Sequence, residues 1–218
     1  MPPLLLINPN TARATTAMMV AMARETAGTR MRVRGETATH GPPMITTPEA
    51  LAAAEAGVID IALRHADTCA GIVVAAFGDP GVATLKRRLA VPVVGICEAA
   101  MVEAAAHDGR FAVATTTKAL VARIAESAAA LGLGHRFAGT WLTGGDPADL
   151  VKDPVRLEAA LAKAIEAAIR DGGATAVIIG GGPLSRAAAA LSARFDTPII
   201  APVAAAVRHL LRSASPAG

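Results

Sequence analysis

Aromatic residues are nearly missing from this chain: they make up 2% of its 218 residues, as one Trp, four Phe and no Tyr. Proteins that hold single-stranded nucleic acid stack successive bases on aromatic rings, and this inventory supplies no such platform. Cysteine is also scarce. Cys69 and Cys97 are the only two, which excludes a disulfide framework. No uncharged apolar run reaches the ~20 residues that a membrane-spanning helix needs. The opening stretch from Met1 to Ile7 lacks a basic segment and runs straight into Asn8-Pro9-Asn10. It reads as a strand, not a signal peptide. A dense stripe of one charge is absent too. There are 21 Lys and Arg against 18 Asp and Glu, for a net charge of +3. The cations (Lys86, Arg87, Arg88, Arg170, Arg208, Arg212) are scattered and read as solvated faces, not as a nucleic-acid surface. His, Cys, Asp and Glu show no clustered spacing, so no metal site is expected. A cytoplasmic protein without nucleic-acid or membrane partners is the expectation from these absences.

What the chain does contain is aliphatic. Hydrophobic residues make up 53% of it, enough for a large core built from Ala, Val, Leu and Ile. Short β-branched runs alternate with long Ala-rich stretches. Strands are predicted at Leu4–Ile7, Met31–Gly35, Gly71–Ala75, Val91–Ile96, Phe111–Ala114, Phe137–Trp141, Ala176–Ile179 and Pro198–Ile200. Helices are predicted at Thr11–Thr26, Pro48–His65, Val82–Leu89, Thr117–Leu131, Pro154–Arg170, Ser185–Phe195 and about Val203–Arg212. Continuous apolar strands separated by helices indicate an α/β fold with parallel sheets covered on both faces.

The pattern also repeats. Gly71-Ile-Val-Val-Ala-Ala leads through a helix to Pro92-Val-Val-Gly-Ile, and Ala176-Val-Ile-Ile-Gly-Gly leads through a helix to Pro198-Ile-Ile-Ala-Pro. Ala76 matches Gly181 at a shift of 105, Pro92 matches Pro198 at 106, and Leu4–Asn8 matches Phe111–Thr115 at 107. Two pseudo-symmetric, flavodoxin-like lobes follow: 1–97 with 203–218, and 98–202. The site is expected in the cleft between them, because ligands of parallel α/β sheets bind beyond the carboxyl ends of the strands.

Four loops follow strand ends. In Asn8-Pro9-Asn10-Thr11, Thr11 reads as a helix cap and Asn8 as either structural or a ligand contact. In Ala75-Ala76-Phe77-Gly78-Asp79-Pro80-Gly81, the glycines allow close backbone approach at Phe77 and Gly78. Asp79 there is either the cap of the helix that follows or a functional carboxylate. Thr115-Thr116-Thr117 could bind an anionic oxygen through its hydroxyls, or could simply cap. Gly180-Gly181-Gly182-Pro183-Leu184-Ser185 reads as a nest of amides at a helix start. It lacks the Gly-Lys-Ser/Thr ending of a phosphate loop. Glu98, at the end of the fourth strand, is a further carboxylate that either caps or works as an acid or base. His40 follows the second strand and could reach the cleft.

Taken in order, Ile7-Asn8-Pro9-Asn10-Thr11, Phe77-Gly78-Asp79-Pro80-Gly81, Pro92-Val93-Val94-Gly95-Ile96 with Glu98-Ala99-Ala100, and Thr115-Thr116 resemble the aspartate/glutamate racemase superfamily, most closely its hydantoin racemase branch. The resemblance implies two α/β lobes, no organic cofactor or metal, and a small carboxylate or cyclic imide as ligand. It implies a proton removed from, and returned to, a carbon beside a carbonyl, with amides and hydroxyls holding the enolate oxygen. It also implies two cysteines, one from each lobe. Here those positions are Ala76 and Gly181, and neither carries a transferable proton. Cys69 comes before its strand, too early to substitute.

The expected protein is a racemase or isomerase working on the α-carbon of a small amino-acid derivative or cyclic amide. Its acid or base would be non-standard, with Glu98, Asp79, Cys97 and His40 as candidates. The expected ligand contacts are Asn8, Phe77, Gly78, Thr116, Thr117, Gly181 and Gly182. A lyase or decarboxylase, or a non-catalytic ligand-binding protein, remains open. The apolar, Ala-rich helices lead to an expectation of homo-oligomers.

Overall fold

A computed structural model describes residues 2–214. Met1 and residues 215–218, which the expected first lobe includes, lie outside the described residues. The chain divides into two compact units: one runs up to Ala99 and takes in the segment from Val203 onward, and the other is Ala100–Pro202.

The first unit contains β1 (Leu4–Asn8), α1 (Arg13–Ala27), β2 (Val33–Thr37), α2 (Pro48–His65), β3 (Gly71–Val74), α3 (Val82–Arg88) and β4 (Val93–Gly95). The boundary falls inside α4 (Ile96–Ala104). Its sheet is parallel throughout, in the order β2-β1-β3-β4. The central strands β1 and β3 are buried along their whole length, as the continuous apolar runs predict for a sheet covered on both faces. Leu5, Ile7, Ile72 and Val74 pack with Val58, Ile61 and Ala62 of α2 and with Leu85 of α3. Burying each such large aliphatic side chain contributes about 1.5–3 kcal/mol. Helix α2 starts where Thr47 accepts a hydrogen bond from the Ala50 N–H, with Pro48 at the first turn. It ends on Arg64 and His65, which oppose the negative end of its dipole.

The second unit contains β5 (Arg110–Thr115), α5 (Val121–Ala130), β6 (Phe137–Leu142), α6 (Pro147–Leu150), α7 (Pro154–Arg170), β7 (Ala174–Ile179), α8 (Ser185–Ser192) and β8 (Ile199–Ile200). Helix α9 (Pro202–Ala214) follows. The strand order, β6-β5-β7-β8, is that of the first unit. Ala112, Ala114, Val177 and Ile179 pack against Leu157, Leu161 and Ile165 of α7 and Leu191 of α8. Asp153 caps α7 by accepting from the Arg156 N–H.

The ladders carry the same spacing as the sequence repeat. Ile7 faces Val74 in the first sheet, and Ala114 faces Ile179 in the second. Val73 faces Val94, and Ile178 faces Ile200. Equivalent residues therefore lie 107, 105 and 106 positions apart, as the sequence alignment has them.

Several element bounds differ from expectation. The second strand is Val33–Thr37, not Met31–Gly35. It lies at a sheet edge, where Arg34 and Glu36 pair in solvent, so hydrophobicity marks its bounds poorly. The fourth strand stops at Gly95 because the chain turns helical at Ile96. Helix α1 begins at Arg13, and Thr11 does not cap it. The Asn10 side chain takes the Ala12 N–H instead, and Thr11 Oγ1 turns to the Gly41 carbonyl. No described helix is long and apolar enough to cross a membrane.

Candidate active-site loops

Because each sheet is parallel, its strand-end loops leave from a single edge. The loops singled out in the sequence lie at these edges, two from each unit. Their side chains fall into two groups: those consumed by the loop itself and those left available.

Asn8 belongs to the first group. It is fully buried. Its Nδ2 donates to Asn10 Oδ1 at 2.9 Å and to Thr16 Oγ1 at 3.0 Å, and its Oδ1 accepts from the Asn10 N–H at 3.2 Å. Thr16 Oγ1 in turn lies 2.7 Å from Thr37 Oγ1. This closed polar network holds β1, α1 and β2 together and leaves the Asn8 amide little capacity for a ligand.

The turn after β3 is more constrained. Ala75 extends the ladder by donating to the Ile7 carbonyl, and the Ala76 carbonyl accepts from the Asp79 N–H at 3.0 Å. Gly78 has φ +137°, and a β-carbon there would meet Leu51 Cδ2 at 2.5 Å. Asp79 itself is left-handed at φ 54°, the only non-glycine residue with positive φ among those described. It does not cap α3, whose N-terminal flank is Gly81 with no side-chain cap. Instead Asp79 reaches across to α4. Its Oδ1 accepts from the Cys97 N–H at 2.9 Å and its Oδ2 from the Glu98 N–H at 2.7 Å. One carboxylate thus accepts from two amides at a helix start.

Burial pushes the Asp79 carboxyl up to about 7. The two amides oppose this, the nearby Glu98 adds to it, and the Lys86 ammonium opposes it. Glu98 accepts from Lys86 Nζ at 2.6 and 2.8 Å and from the Gly95 N–H at 3.2 Å. Its side chain retains 20% exposure. Cys97 is completely buried and forms no disulfide. His40 is exposed beyond β2, with Nδ1 2.9 Å from Thr39 Oγ1.

In the second unit, Thr115 is consumed and Thr116 is not. Thr115 Oγ1 donates to the Gly180 carbonyl at 2.7 Å, tying the ends of β5 and β7 together. The hydroxyls of Thr116 and Thr117 enter no hydrogen bond among the described residues. The expected nest at Gly180–Gly182 is not formed. Such a concavity needs alternating backbone hand, and none of these three glycines has positive φ. The Gly180 N–H goes to the Ala114 carbonyl and the Gly181 N–H to the Ile179 carbonyl. The Gly181 carbonyl accepts from the Leu184 N–H and from Ser185 Oγ. Only the Gly182 N–H is left without a backbone carbonyl among the described residues. Among those residues, no three His, Cys, Asp or Glu side chains gather closely enough to hold a metal ion.

The Asp79–α4 connection escapes the sequence expectation, although one signal is present. A glycine (Gly95) ends a strand of β-branched residues 16 positions after Asp79, and glycines at such points mark the close approach of another group.

These loops and sheets match known proteins along nearly the whole chain. The Asp/Glu/Hydantoin racemase family matches residues 4–210. A hydantoin racemase of Rhizobium meliloti is 29% identical over 204 residues, covering 93% of this chain and 85% of that protein. The structure of allantoin racemase from Klebsiella pneumoniae superposes with a TM-score of 0.92 at 26% identity, covering 97% of this chain and 87% of that one. That of allantoin racemase from Pseudomonas fluorescens gives 0.91 at 27% identity, covering 96% and 89%. The chain belongs to the Asp/Glu/hydantoin racemase family. Within it, the chain is similar to a hydantoin racemase in sequence and to allantoin racemases in structure.

Proposed function

We propose that this protein is a cofactor-independent isomerase acting on the acidic carbon of a small cyclic amide of the hydantoin type. The observation that carries the reading is the retention of the strand-end loops at both sheets, with available donors at Thr116, Thr117 and Gly182. Such donors stabilise an enolate oxygen once the α-proton leaves. Phe77 and Gly78 would contribute through their backbone. The proton carrier is not a side chain at position 76 or 181, since these are Ala and Gly. Of the carboxylates and thiol near the first sheet edge, Asp79 is spent on α4 and Cys97 is enclosed. Glu98 keeps partial exposure, so it is the acid or base in this reading.

The test is proton exchange in deuterated water. The protein is incubated with enantiopure 5-substituted hydantoins and with allantoin, following loss of the C5 proton by NMR and loss of optical rotation. Exchange that disappears in Glu98→Gln supports the reading. Exchange undiminished in that variant moves the role elsewhere, and no exchange with any of these compounds removes the isomerase reading.

A second reading has its own observation: both positions where the family resemblance places thiols lack a protonatable group. A protein that binds the same ligands without turnover would show a ligand-dependent rise in melting temperature and no exchange.

A further inference from the structure

We infer that Asp79 is a positioning residue: its carboxyl clamps the Phe77–Gly78 turn to the start of α4. This extends the proposed function, because the turn would face the substrate only if the reading above holds.

Three independent pieces of geometry support the clamp. The carboxyl uses each oxygen once, on the Cys97 and Glu98 amides, at 2.9 and 2.7 Å. The backbone beneath is shaped for it, since a β-carbon on Gly95 would lie 2.0 Å from Asp79 Cγ. The turn is also folded to deliver it: Asp79 accepts a left-handed φ that costs a non-glycine residue energy, and its N–H closes the turn onto the Ala76 carbonyl. Ala76 and Gly78 are thus fixed by contacts to a segment that follows only after another helix and strand.

The experiment is amide hydrogen exchange of the full chain, read at Cys97 and Glu98 and across residues 75–81. Asp79→Ala should lower protection of both amides several-fold, and Asp79→Asn, which keeps one acceptor oxygen, should lower it less. Gly95→Ala, which displaces the carboxyl by a different route, should lower it as well. Equal protection in wild type and Asp79→Ala would overturn the clamp. The exchange readout needs no substrate, so it stands even if hydantoin turnover fails. With a turned-over hydantoin, Asp79→Asn should raise KM more than it lowers kcat. An equal loss in both would overturn the positioning role.

Discussion

The Asp79 carboxyl lies directly over the α-carbon of Gly95, so close that a β-carbon added there would stand 2.0 Å from Asp79 Cγ. Two segments 16 positions apart in the chain are therefore fitted to one another, one by an acid and the other by the lack of a side chain.

Gly95→Ala should destabilise the protein by about 2–3 kcal/mol, in the range of overpacked core substitutions. Combining it with Asp79→Ala should cost less than the sum of the two single changes, because the truncated side chain gives back the space. Urea denaturation of the four proteins in this cycle measures the coupling, and strict additivity would contradict the fit described here.

The Asp79 carboxyl stands at about 7 in the folded protein, above its ordinary value of 3.8. The folded state therefore binds the proton more tightly than the unfolded one. Its contribution to stability is complete below pH 3.8 and is lost as the pH rises through about 7. Relative to Asp79→Asn, the wild type should lose roughly 3–4 kcal/mol across this window, since each pH unit spent between the two values costs about 1.4 kcal/mol. Urea midpoints of both proteins between pH 4 and 8 give the difference curve. A flat difference would remove the assignment of Asp79 as the titrating acid.

Restoring thiols tests the two altered positions. A β-carbon at Gly181 meets Leu184 Cγ at 3.1 Å and Cδ1 at 3.2 Å. The leucine side chain must give slightly, at a cost of about 1 kcal/mol. Ala76→Cys adds one sulfur at a half-buried position and should change stability little. The double variant Ala76→Cys/Gly181→Cys is expected to exchange the C5 proton of hydantoins about 10²–10⁴-fold faster than the parent, the usual contribution of a placed acid or base. NMR exchange rates decide it. No gain would mean that the retained loops do not hold these compounds productively.

Asn8 and Thr116 should separate stability from binding. Asn8→Ala breaks a buried network and leaves Asn10 and Thr16 short of partners. A loss of about 2–3 kcal/mol is expected. Thr116→Val removes a hydroxyl that bonds to nothing among the described residues. Its stability should stay within about 0.5 kcal/mol, while the affinity for a hydantoin falls about tenfold in calorimetric titration. The reverse pattern would exchange the roles of the two residues.

The fold was legible because its signals are local and repeated. Unbroken apolar runs such as Ile72–Val74 and Val177–Ile179 fill strands buried on both faces, and the 105 to 107 shifts reappear in the ladder register. The candidate site was legible only as a set of loops. Asn8 and Thr116 look equally available in sequence, being polar residues at strand ends. In the fold one is consumed by its own loop and the other is not. The glycine triplet misled for a similar reason. Glycine permits a left-handed nest but does not require one, and the Ala114 and Ile179 carbonyls claim the amides of Gly180 and Gly181.

By itself the sequence determined the duplicated α/β pattern, the positions of the strand-end loops and the absence of thiols at 76 and 181. These depend on side-chain identity and on periodicities shorter than one element. Tertiary structure decided where Asp79 spends its two oxygens. A carboxyl takes the donors that the fold brings near it in space, and here they belong to a helix start that the chain reaches only after another helix and strand.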